Sequence, residues 1–342
     1  FAALIQVLLS ATLVSTYMSY TLTVENPDTL SSSWIKLQHL RWDHIYVLPC
    51  WLEVWWREFG SGAELYLCAV KQRETVIGIA PLLIEAEKAS FIGSADVCDY
   101  LDFVVAPGRE QDFFNILLDS LEQKGISRLD LSCLRPDSTA VANLVAMARN
   151  RGYEVSCKTE DVSLELDLPA TWEEYLETLT AKQRHELKRK LRRLGEAGDI
   201  DYRVVGDSEA VPYIIDIFLE LFRASRKDKA AFMTAARESF FRSVAKAMAE
   251  AGLLRLGILQ FNASPVAAVM YFDYRGKVYL YNSGYDTQYS SLGVGLISKA
   301  LCIKDSIQRR KKSFDFLKGA EAYKYRLGGK EIPIYGCQIV LR

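Results

Sequence analysis

Short apolar segments separated by polar turns recur in the same order in both halves of the chain. Residues 65–83, LYLCAVKQRETVIGIAPLL, and residues 254–272, LRLGILQFNASPVAAVMYF, each consist of two apolar segments joined by a polar turn of equal length. When both stretches are continued without a gap, a third apolar segment beginning at Lys88 aligns with one beginning at Lys277. Short apolar segments bounded by turns are typical of strands, so the pattern predicts three antiparallel strands in each half.

A helix and one further strand complete each copy of the pattern. Residues 112–124 and 292–309 have the spacing of helices. After them, LDLSCL matches FDFLKG, which aligns Asp130 with Asp315. Self-similarity at a fixed period is the signature of a repeated structural unit. The sequence therefore predicts one α+β unit that occurs twice.

The charge is distributed unevenly between the two copies. The 342 residues have a formal net charge of −1. Residues 1–160 contain 13 Lys and Arg against 20 Asp and Glu, whereas residues 161–342 contain 29 against 23. A basic second half fits an anionic ligand or attraction between the two halves, but not general coating of DNA.

The cysteine and histidine positions indicate neither a disulfide framework nor a metal site. The seven cysteines are scattered, lie mostly in apolar strand-like segments, and form no Cys-x-x-Cys pair. We predict that they are reduced core residues of a cytoplasmic protein. The three histidines have no ligand spacing with them, so we expect no metal site.

Residues 1–17 contain no charged residue and precede Met18. A secretory signal requires a basic start, and a membrane span requires about twenty mostly apolar residues, whereas this stretch is interrupted by Ser and Thr. We interpret it as an upstream extension, with a short membrane anchor as the alternative. No stable membrane insertion is expected.

A basic segment connects the two copies. Its sequence predicts a helix over residues 172–194, because Thr171 is a candidate N-cap with Glu174 at capping-box spacing, and Gly195 and Gly198 follow as stop signals. The segment is densely basic from Lys182 onward. The two interpretations of this basic segment are a solvated helix face and a surface that contacts phosphates.

The segment YSSLGVGLISKAL follows the third strand of the second copy. Ser290 or Ser291 is a candidate cap for a helix whose first turn contains Gly293 and Gly295. Free N–H groups at such a helix end attract phosphate, and glycine lets the backbone approach closely. A pyrophosphate cradle and a helix whose glycines serve tight packing are the two interpretations.

A strand, a loop and a helix that begins with glycines resemble the acyl-CoA pyrophosphate loop of the GNAT acyltransferases. The usual GNAT signature begins with Gln or Arg, where this chain has Ser290. The longer resemblance, from about Trp34 onward, is to tandem-GNAT proteins of the CelD/BcsL-type cellulose and exopolysaccharide biosynthesis acetyltransferases. These proteins are relatives of the Fem peptidyltransferases of cell-wall synthesis.

The second resemblance rests on several segments together. They are PCWLEVWWREFG, DVCDYLDFVVAPG, LPATWEEYLETLTAKQRHELKRKLRRL, YSSLGVGLI and FDFLKGAEAYKYRLG. The family tail commonly reads Asp-Phe-Leu-Arg-Gly-Asp-Glu-Pro-Tyr-Lys. Here Lys318 replaces the Arg, while Glu321, Tyr323 and Lys324 match the family residues. The resemblance implies two GNAT-like (acyl-CoA N-acyltransferase) α+β domains in tandem.

Attack of an amine or hydroxyl on a thioester needs a base, donors for the developing oxyanion, and a proton for the leaving thiolate. Asp315 and Glu321 are candidates for the base, Lys324 for the donor and Tyr323 for the acid. In the Fem relatives a lysine at the place of Lys324 is associated with the acyl-transfer site. An exposed turn with surface ion pairs is the alternative interpretation of this segment.

The resemblance also implies an acyl-CoA cosubstrate, with acetyl-CoA as the expected form. The strand at residues 279–282 would supply an amide donor. The predicted cofactor-binding residues are Tyr281, Ser290, Ser291, Gly293, Val294 and Gly295.

For the acceptor, the loop residues Asp99 and Tyr100 are candidates for a groove between the copies. By analogy with the Fem relatives, Lys182 and Arg184 are candidates for contact with a phosphate of a nucleotide-linked acceptor. The acceptor is expected to be a small molecule or a saccharide.

We therefore predict an N-terminal GNAT-like domain over residues 18–160 and a C-terminal one over residues 161–342. The predicted activity is transfer of an acyl group from acyl-CoA to an amine or hydroxyl, with a sugar or nucleotide sugar of envelope polysaccharide as the candidate acceptor. The alternatives are aminoacyl-tRNA-dependent transfer of the Fem type and a catalytically silent scaffold for polysaccharide synthesis. Nucleic acid other than tRNA is not expected as a partner.

Overall fold

The computed structural model describes residues 20–341, so the predicted extension or anchor at residues 1–17 lies outside the described residues. The strands are β1 Tyr20–Val24, β2 Glu64–Gln72, β3 Thr75–Glu85, β4 Lys88–Phe91, β5 Val104–Val105, β6 Arg128–Leu134, β7 Glu154–Asp167, β8 Ile200–Val205, β9 Leu254–Phe261, β10 Ser264–Tyr274, β11 Lys277–Tyr285, β12 Ser313–Lys318 and β13 Lys330–Val340.

The α-helices of the described residues alternate with these strands. They are α1 Pro27–Ser33, α2 Pro49–Phe59, α3 Glu110–Gln123, α4 Val145–Asn150, α5 Trp172–Thr178, α6 Ala181–Ala197, α7 Val211–Ser225, α8 Lys227–Phe232, α9 Ala235–Glu250, α10 Val294–Gln308 and α11 Ala322–Arg326. Residues 20–341 contain no helix that is both long and apolar enough to cross a membrane.

All strands of residues 20–341 belong to one mixed sheet. Its order is β1-β2-β3-β4-β6-β13-β7-β12-β11-β10-β9-β8, with β5 paired to β3. Read inward from either edge, each half presents an edge strand, an antiparallel hairpin, a third antiparallel strand and then a parallel partner. The two halves of the sheet therefore have the same topology.

The repeat predicted from the sequence is confirmed by the strand register. In the first copy β6 runs parallel to β4 and places Asp130 opposite Ser90. In the second copy β12 runs parallel to β11 and places Asp315 opposite Tyr279. Asp130 and Asp315 therefore occupy equivalent positions, as their alignment predicts.

The final strands of the two copies are exchanged across the centre of the sheet. β7, which follows the first copy, pairs with β12 of the second, whereas β13 pairs with β6 of the first. The two exchanged strands also pair with each other along their length. The predicted domain boundary between residues 160 and 161 therefore falls inside a strand rather than in a linker.

One disulfide joins the exchanged strands and corrects the prediction that every cysteine is reduced. Cys157 and Cys337 are directly opposite each other in the β7–β13 register and are bonded to each other. Neighbouring positions on antiparallel strands bring side chains within bonding range, although these two cysteines are far apart in sequence. The free cysteines are Cys50, Cys68, Cys98, Cys133 and Cys302.

A continuous aromatic core connects the two copies near the centre of the molecule. Trp51 of α2 is fully buried and packs edge-on against Phe240 of α9, with ring centroids 5.8 Å apart. The same indole contacts Tyr281 of β11 at 5.5 Å. Since aromatic side chains bury the largest apolar areas, this contact fixes the first copy against the strand that lines the cavity described below.

The basic segment forms two helices instead of the single helix predicted over residues 172–194. Thr171 and Glu174 form the predicted capping box at the start of α5. A second capping box, between Thr180 and Gln183, starts α6 immediately afterwards. Because a capping residue has a non-helical backbone, Thr180 interrupts the helix. The second helix ends at Ala197, and the predicted stop signal Gly198 is its C-cap.

Candidate functional site

A cavity of about 520 Å³ opens where the two parallel strands of the second copy separate. β11 and β12 are paired at Lys277, Val278 and Tyr279, and the pairing stops at Asp315. Beyond that point residues of both strands line the cavity, together with the first turn of α10, helix α11, and the loops around Asp99 and Arg226. The main-chain groups on this edge of β11 are therefore not used by the sheet.

β11 contains a bulge at the edge of this cavity. Its register with β10 shifts so that Asn282 pairs with Met270 and Leu280 pairs with Tyr271, which leaves Tyr281 as the extra residue. A bulge redirects the backbone and side chain of the extra residue. The side chain of Tyr281 is buried, and its hydroxyl donates to Val97 O at 3.1 Å. This hydrogen bond joins β11 to the loop that contains Val97 and Asp99.

The start of α10 is built from glycines. Gly293 is the N-cap of the helix and has a φ of 75°, a conformation that favours glycine. A Cβ atom at Gly295 would lie 2.8 Å from Cδ1 of Tyr285, which is too close for a side chain. The N–H of Leu296 donates to Gly293 O at 3.0 Å, whereas those of Val294 and Gly295 have no backbone carbonyl partner in the described residues and lie at the positive end of the helix dipole.

Four of the six predicted cofactor-binding residues line the cavity: Tyr281, Ser290, Gly293 and Gly295. Ser290 and Ser291 belong to a 3-10 turn before the helix, and neither is its cap, because Gly293 occupies that position. Ser291 is exposed and does not line the cavity. Val294 is fully buried in the apolar cluster behind the helix start, so its side chain lies away from the cavity.

Helix α11 closes the opposite side with the Tyr-Lys pair. Tyr323 lines the cavity, and burial raises the pKa of its hydroxyl far above the usual value. That hydroxyl has no hydrogen-bond partner within the described part of the chain. It is therefore protonated at neutral pH and available to a ligand.

Lys324 is almost completely buried, with 2 % of its surface exposed. Its ammonium donates to the carbonyl oxygens of Leu317 at 2.9 Å, Lys318 at 2.6 Å and Gly319 at 2.9 Å, and it is 2.8 Å from a carboxylate oxygen of Glu321. An ammonium group has three N–H donors. Donation from Lys324 to an oxyanion, as predicted, would thus require one of these bonds to break.

Three carboxylates line the cavity: Asp96, Asp99 and Glu321. Glu321 is 48 % exposed on its side chain. Asp99 accepts a hydrogen bond from the Tyr46 hydroxyl at 2.7 Å and one from the backbone N–H of Lys318 at 3.3 Å. Burial raises the pKa of Asp99 above its ordinary value. The side chain of Asp96 is 38 % exposed and is paired with Arg237 at 2.7 Å, so Glu321 is the more exposed of these two carboxylates.

Asp315 and Tyr100 do not line this cavity. Asp315 is fully buried and accepts from the Tyr100 hydroxyl at 2.8 and 3.0 Å. Burial, followed by the neighbouring carboxylate of Glu165, raises the pKa of Asp315. The next residues of β12, Phe316 and Leu317, line the cavity instead. Geometry therefore removes Asp315 from the candidates for a base that reaches a ligand.

Tyr100 itself lines a second cavity of about 230 Å³. This space lies between the copies and includes His44, Asp102 and Arg135. Burial raises the pKa of Asp102 to about 7 and lowers the pKa of His44 to about 3. The two predicted acceptor residues of this loop are thus divided: Asp99 lines the larger cavity and Tyr100 the smaller one.

The basic helix α6 runs beside the glycine turn. Lys182, Lys190 and Arg326 line an adjoining cavity of about 460 Å³ that shares Leu296 and Arg326 with the large one. A Cβ atom at Gly293 would lie 3.3 Å from Nζ of Lys190, so this ammonium covers the helix start.

Arg184, the other predicted phosphate contact on this helix, does not line either of these two cavities. Its guanidinium donates to Leu176 O at 3.4 Å, which directs it toward α5.

Two lysines in the large cavity were not predicted from the sequence. Lys299 of α10 has 6 % of its surface exposed, and its ammonium donates to Gly295 O at 2.7 Å. Lys229 of α8 lines the same cavity and donates to Ser283 O. Lys299 does have a sequence signal, because it is a lone charge in the apolar segment LGVGLISKALCI. Lys229 has no comparable sequence signal, because its neighbours in the sequence are also charged.

Comparison with known proteins identifies a matching family model and solved structures of similar fold. Residues 181–325 match the family model described as an acetyltransferase (GNAT) domain. The crystal structure of FemX is similar over 92 % of this chain and 96 % of that chain, with 12 % identity and a TM-score of 0.59. A search of curated protein sequences finds no match.

Two further solved structures show the same likeness over most of the chain. A conserved protein of unknown function from Bacteroides thetaiotaomicron is similar over 94 % of this chain and 100 % of that chain, with 13 % identity and a TM-score of 0.59. The structure of L-PGS from Bacillus licheniformis is similar over 84 % of this chain and 90 % of that chain, with 11 % identity and a TM-score of 0.54. Similarity at these identities concerns the fold alone.

The predicted fold class is confirmed. Residues 181–325 match the GNAT domain model, and the first half of the sheet repeats the topology of the second. The chain is therefore a tandem of two GNAT-like α+β units that share one sheet.

Proposed function

We propose that the protein transfers an acyl group from acyl-CoA, with acetyl-CoA as the first donor to test, to an amine or hydroxyl acceptor. The observation that carries the proposal is the placement of three features in one cavity: the separated edges of β11 and β12, the glycine-built start of α10, and the free hydroxyl of Tyr323. A fold alone does not define an activity, whereas these three features together are suited to acyl transfer.

The helix start fits a diphosphate. Gly293 and Gly295 keep side chains away from the exposed N–H groups, and Lys190 adds a positive charge above them. Backbone N–H groups at a helix N-terminus bind phosphate because the dipole and the free donors act in the same direction. The donor's diphosphate would bind here, and its thioester arm would extend along the open edge of β11.

The separated strand edge fits the thioester. N–H groups on the open edge of β11 near the bulge at Tyr281 are candidates for donation to the oxygen of the reacting carbonyl. Donors that are already fixed in place stabilise the charge that develops there, and this is commonly the largest contribution to catalysis of acyl transfer. A backbone donor replaces Lys324 in this role, because the Lys324 ammonium already holds the turn at residues 317–319.

The proton transfers are assigned to two residues of the closing segment. Glu321 is the proposed base, directly or through one water, because its carboxylate lines the cavity and is half exposed. Tyr323 is the proposed acid that protonates the departing thiolate, since its buried hydroxyl keeps its proton. The acceptor's nucleophile forms a bond to the acyl carbon, the carbon–sulfur bond breaks, and free CoA leaves as a thiol.

A direct test measures release of the CoA thiol. Purified protein is incubated with acetyl-CoA and a panel of amino sugars, sugars and nucleotide sugars, and the thiol is quantified with a chromogenic disulfide. We expect acceptor-dependent thiol release that falls at least tenfold in Glu321→Gln. Equal release by Glu321→Gln and the wild type would remove Glu321 from the mechanism. The saccharide acceptor itself rests on the sequence resemblance to the CelD/BcsL-type proteins.

Aminoacyl-tRNA-dependent transfer is the second candidate. It is favoured by the fold likeness to FemX and by the positive charges of Lys182, Lys190 and Arg326 beside the main cavity. Contacts with RNA phosphates release counterions, so the affinity would fall steeply as salt increases. Titration of the protein with an RNA hairpin between 50 and 200 mM salt distinguishes tRNA-dependent transfer from CoA-dependent transfer. A CoA-dependent enzyme without an RNA substrate shows no saturable RNA binding at the higher salt.

A further inference from the structure

Two lysines in the cavity of about 520 Å³ lack an acidic partner. Neither Lys229 nor Lys299 has a carboxylate oxygen within ion-pair distance in the described residues 20–341. Each makes one hydrogen bond, to the carbonyl oxygen of Ser283 and of Gly295 respectively. Buried charges are normally paired, because removal of an ion from water without a partner is costly.

Both ammonium groups keep donors for a ligand. An ammonium has three N–H groups, and one of them is used in each case. Lys229 lies against the ring of Phe222 at 4.6 Å, and Lys299 lies against the ring of Tyr323 at 4.7 Å. Aromatic rings thus support the two side chains, and both residues line the cavity, where their remaining donors are available to a ligand.

The carboxylates around the cavity are engaged elsewhere. Glu321 is paired with Lys324 at 2.8 Å, and Asp96 is paired with Arg237 at 2.7 Å. Asp99 accepts from Tyr46 and from the backbone of Lys318. The interior of the cavity consequently has more positive charge than its own acidic residues neutralise.

Building on the acyl-transfer function proposed above, we propose that a carboxylate or phosphate group binds between Lys229 and Lys299. This group belongs either to the transferred acyl chain or to the acceptor. Charge-assisted hydrogen bonds from two ammonium groups to one anion are short and strong, and two donors fix its position. The lysines therefore select an anionic substrate.

The protonation state of the two lysines agrees with this arrangement. Burial lowers the pKa of Lys299 to about 7, and the neighbouring charge of Lys229 lowers it further. Burial likewise lowers the pKa of Lys229 to about 8, with Arg226 as the next cause. An anion between them would favour the charged form of both groups, so its binding takes up protons near pH 8.

The test uses isothermal titration calorimetry on Lys229→Met and Lys299→Met, with Lys246→Met as the matched control. Lys246 is on the surface of α9, and its side chain is 70 % exposed. The titrants are inorganic phosphate, CoA, acetyl-CoA and succinyl-CoA. Methionine is close to lysine in length, and removal of an unpaired charge from the buried Lys299 or the half-buried Lys229 does not threaten folding.

If the anion belongs to the acyl chain, wild type and Lys246→Met bind succinyl-CoA roughly tenfold more tightly than acetyl-CoA, and both cavity variants lose this preference. If it belongs to the acceptor, inorganic phosphate binds the wild type and the control roughly tenfold more tightly than the cavity variants, with or without CoA. Either result supports the proposal.

Two results overturn it. Equal affinities of all four proteins for phosphate, together with no preference for succinyl-CoA, exclude an anion site. A parallel loss of CoA, acetyl-CoA and succinyl-CoA affinity in the cavity variants assigns the lysines to the donor's own phosphates. Failure of the wild type to bind any CoA derivative contradicts the acyl-CoA function instead, and the phosphate titration still decides the anion site.

Discussion

The ammonium group of Lys324 lies 2.6 Å from the carbonyl oxygen of Lys318. The same group holds the carbonyls of Leu317 and Gly319, and Leu317 has a φ of 63°, which is unusual for a residue with a side chain. Lys324 thereby fixes the end of β12 where it turns away from the sheet. The shape of the cavity wall depends on this buried charge.

We therefore expect Lys324→Met to lower the free energy of unfolding by about 3 kcal/mol, because three buried carbonyl oxygens would lose a charged donor. Urea unfolding followed by circular dichroism measures the change. The surface variant Lys246→Met should unfold within about 0.5 kcal/mol of the wild type. A Lys324→Met protein as stable as this control would show that the carbonyls do not need the ammonium.

Tyr323→Phe removes one hydroxyl from the cavity and is expected to lower kcat about 100-fold with little change in KM for the acyl donor. The reason is that the hydroxyl acts on the leaving thiolate and not on the bound thioester. Steady-state thiol release measures both constants. Tyr325→Phe is the control, since the Tyr325 hydroxyl contacts Glu331 outside the cavity. Similar rates for the two variants would exclude Tyr323 as the acid.

Lys190→Gln should weaken CoA binding about three- to tenfold, because its ammonium lies over the helix start that would hold the diphosphate. Lys188→Gln on the same helix is exposed, does not line the cavities beside α6, and should bind CoA like the wild type. Calorimetry at two salt concentrations compares the variants, and the difference should shrink at high salt. Equal weakening by both substitutions would indicate a general effect of charge.

The pKa of Lys299 makes the stability of the wild type depend on pH. Its folded-state value of about 7 is below the ordinary lysine value near 10.4, so the unfolded state binds more protons between these values. The cost of burying the charge is fully present below pH 7 and declines as the pH rises. Lys229, Glu321 and Cys302 are the charged or titratable groups that influence it.

Lys299→Met should thus have a higher Tm than the wild type at pH 6.5, and the two should approach each other at pH 9.5. Thermal unfolding at both values measures the difference. A constant difference across this range would mean that Lys299 does not titrate there.

The tandem fold could be predicted because each copy repeats a local pattern of strands, turns and a helix. The exchange of β7 and β13 could not, because the choice of hydrogen-bond partner leaves no mark on hydrophobic periodicity. For the same reason the Cys157–Cys337 pair was not predicted: only the register brings the two residues together.

Several residues of the candidate site could be predicted to lie together, whereas the burial and direction of their side chains could not. The glycine turn and Tyr323 line one cavity, as their motifs led us to expect. Asp315 instead accepts a hydrogen bond from Tyr100, because β12 separates from β11 only beyond Asp315. Local sequence identifies residue types that suit a reaction, whereas burial and the direction of each side chain depend on distant packing.

Calorimetric titration of CoA into Gly293→Ala and Gly252→Ala tests whether the glycine turn at the start of α10 binds the donor's diphosphate. Both glycines have a positive φ, at 75° and 74°, so the two substitutions impose a similar backbone strain. A Cβ atom at Gly252 meets nothing within 4 Å, whereas one at Gly293 lies at the helix start beneath Lys190. We predict saturable CoA binding that Gly252→Ala preserves and Gly293→Ala weakens at least tenfold. Absence of binding to the wild type, or equal binding by both variants, would contradict the assignment of this turn as the diphosphate site.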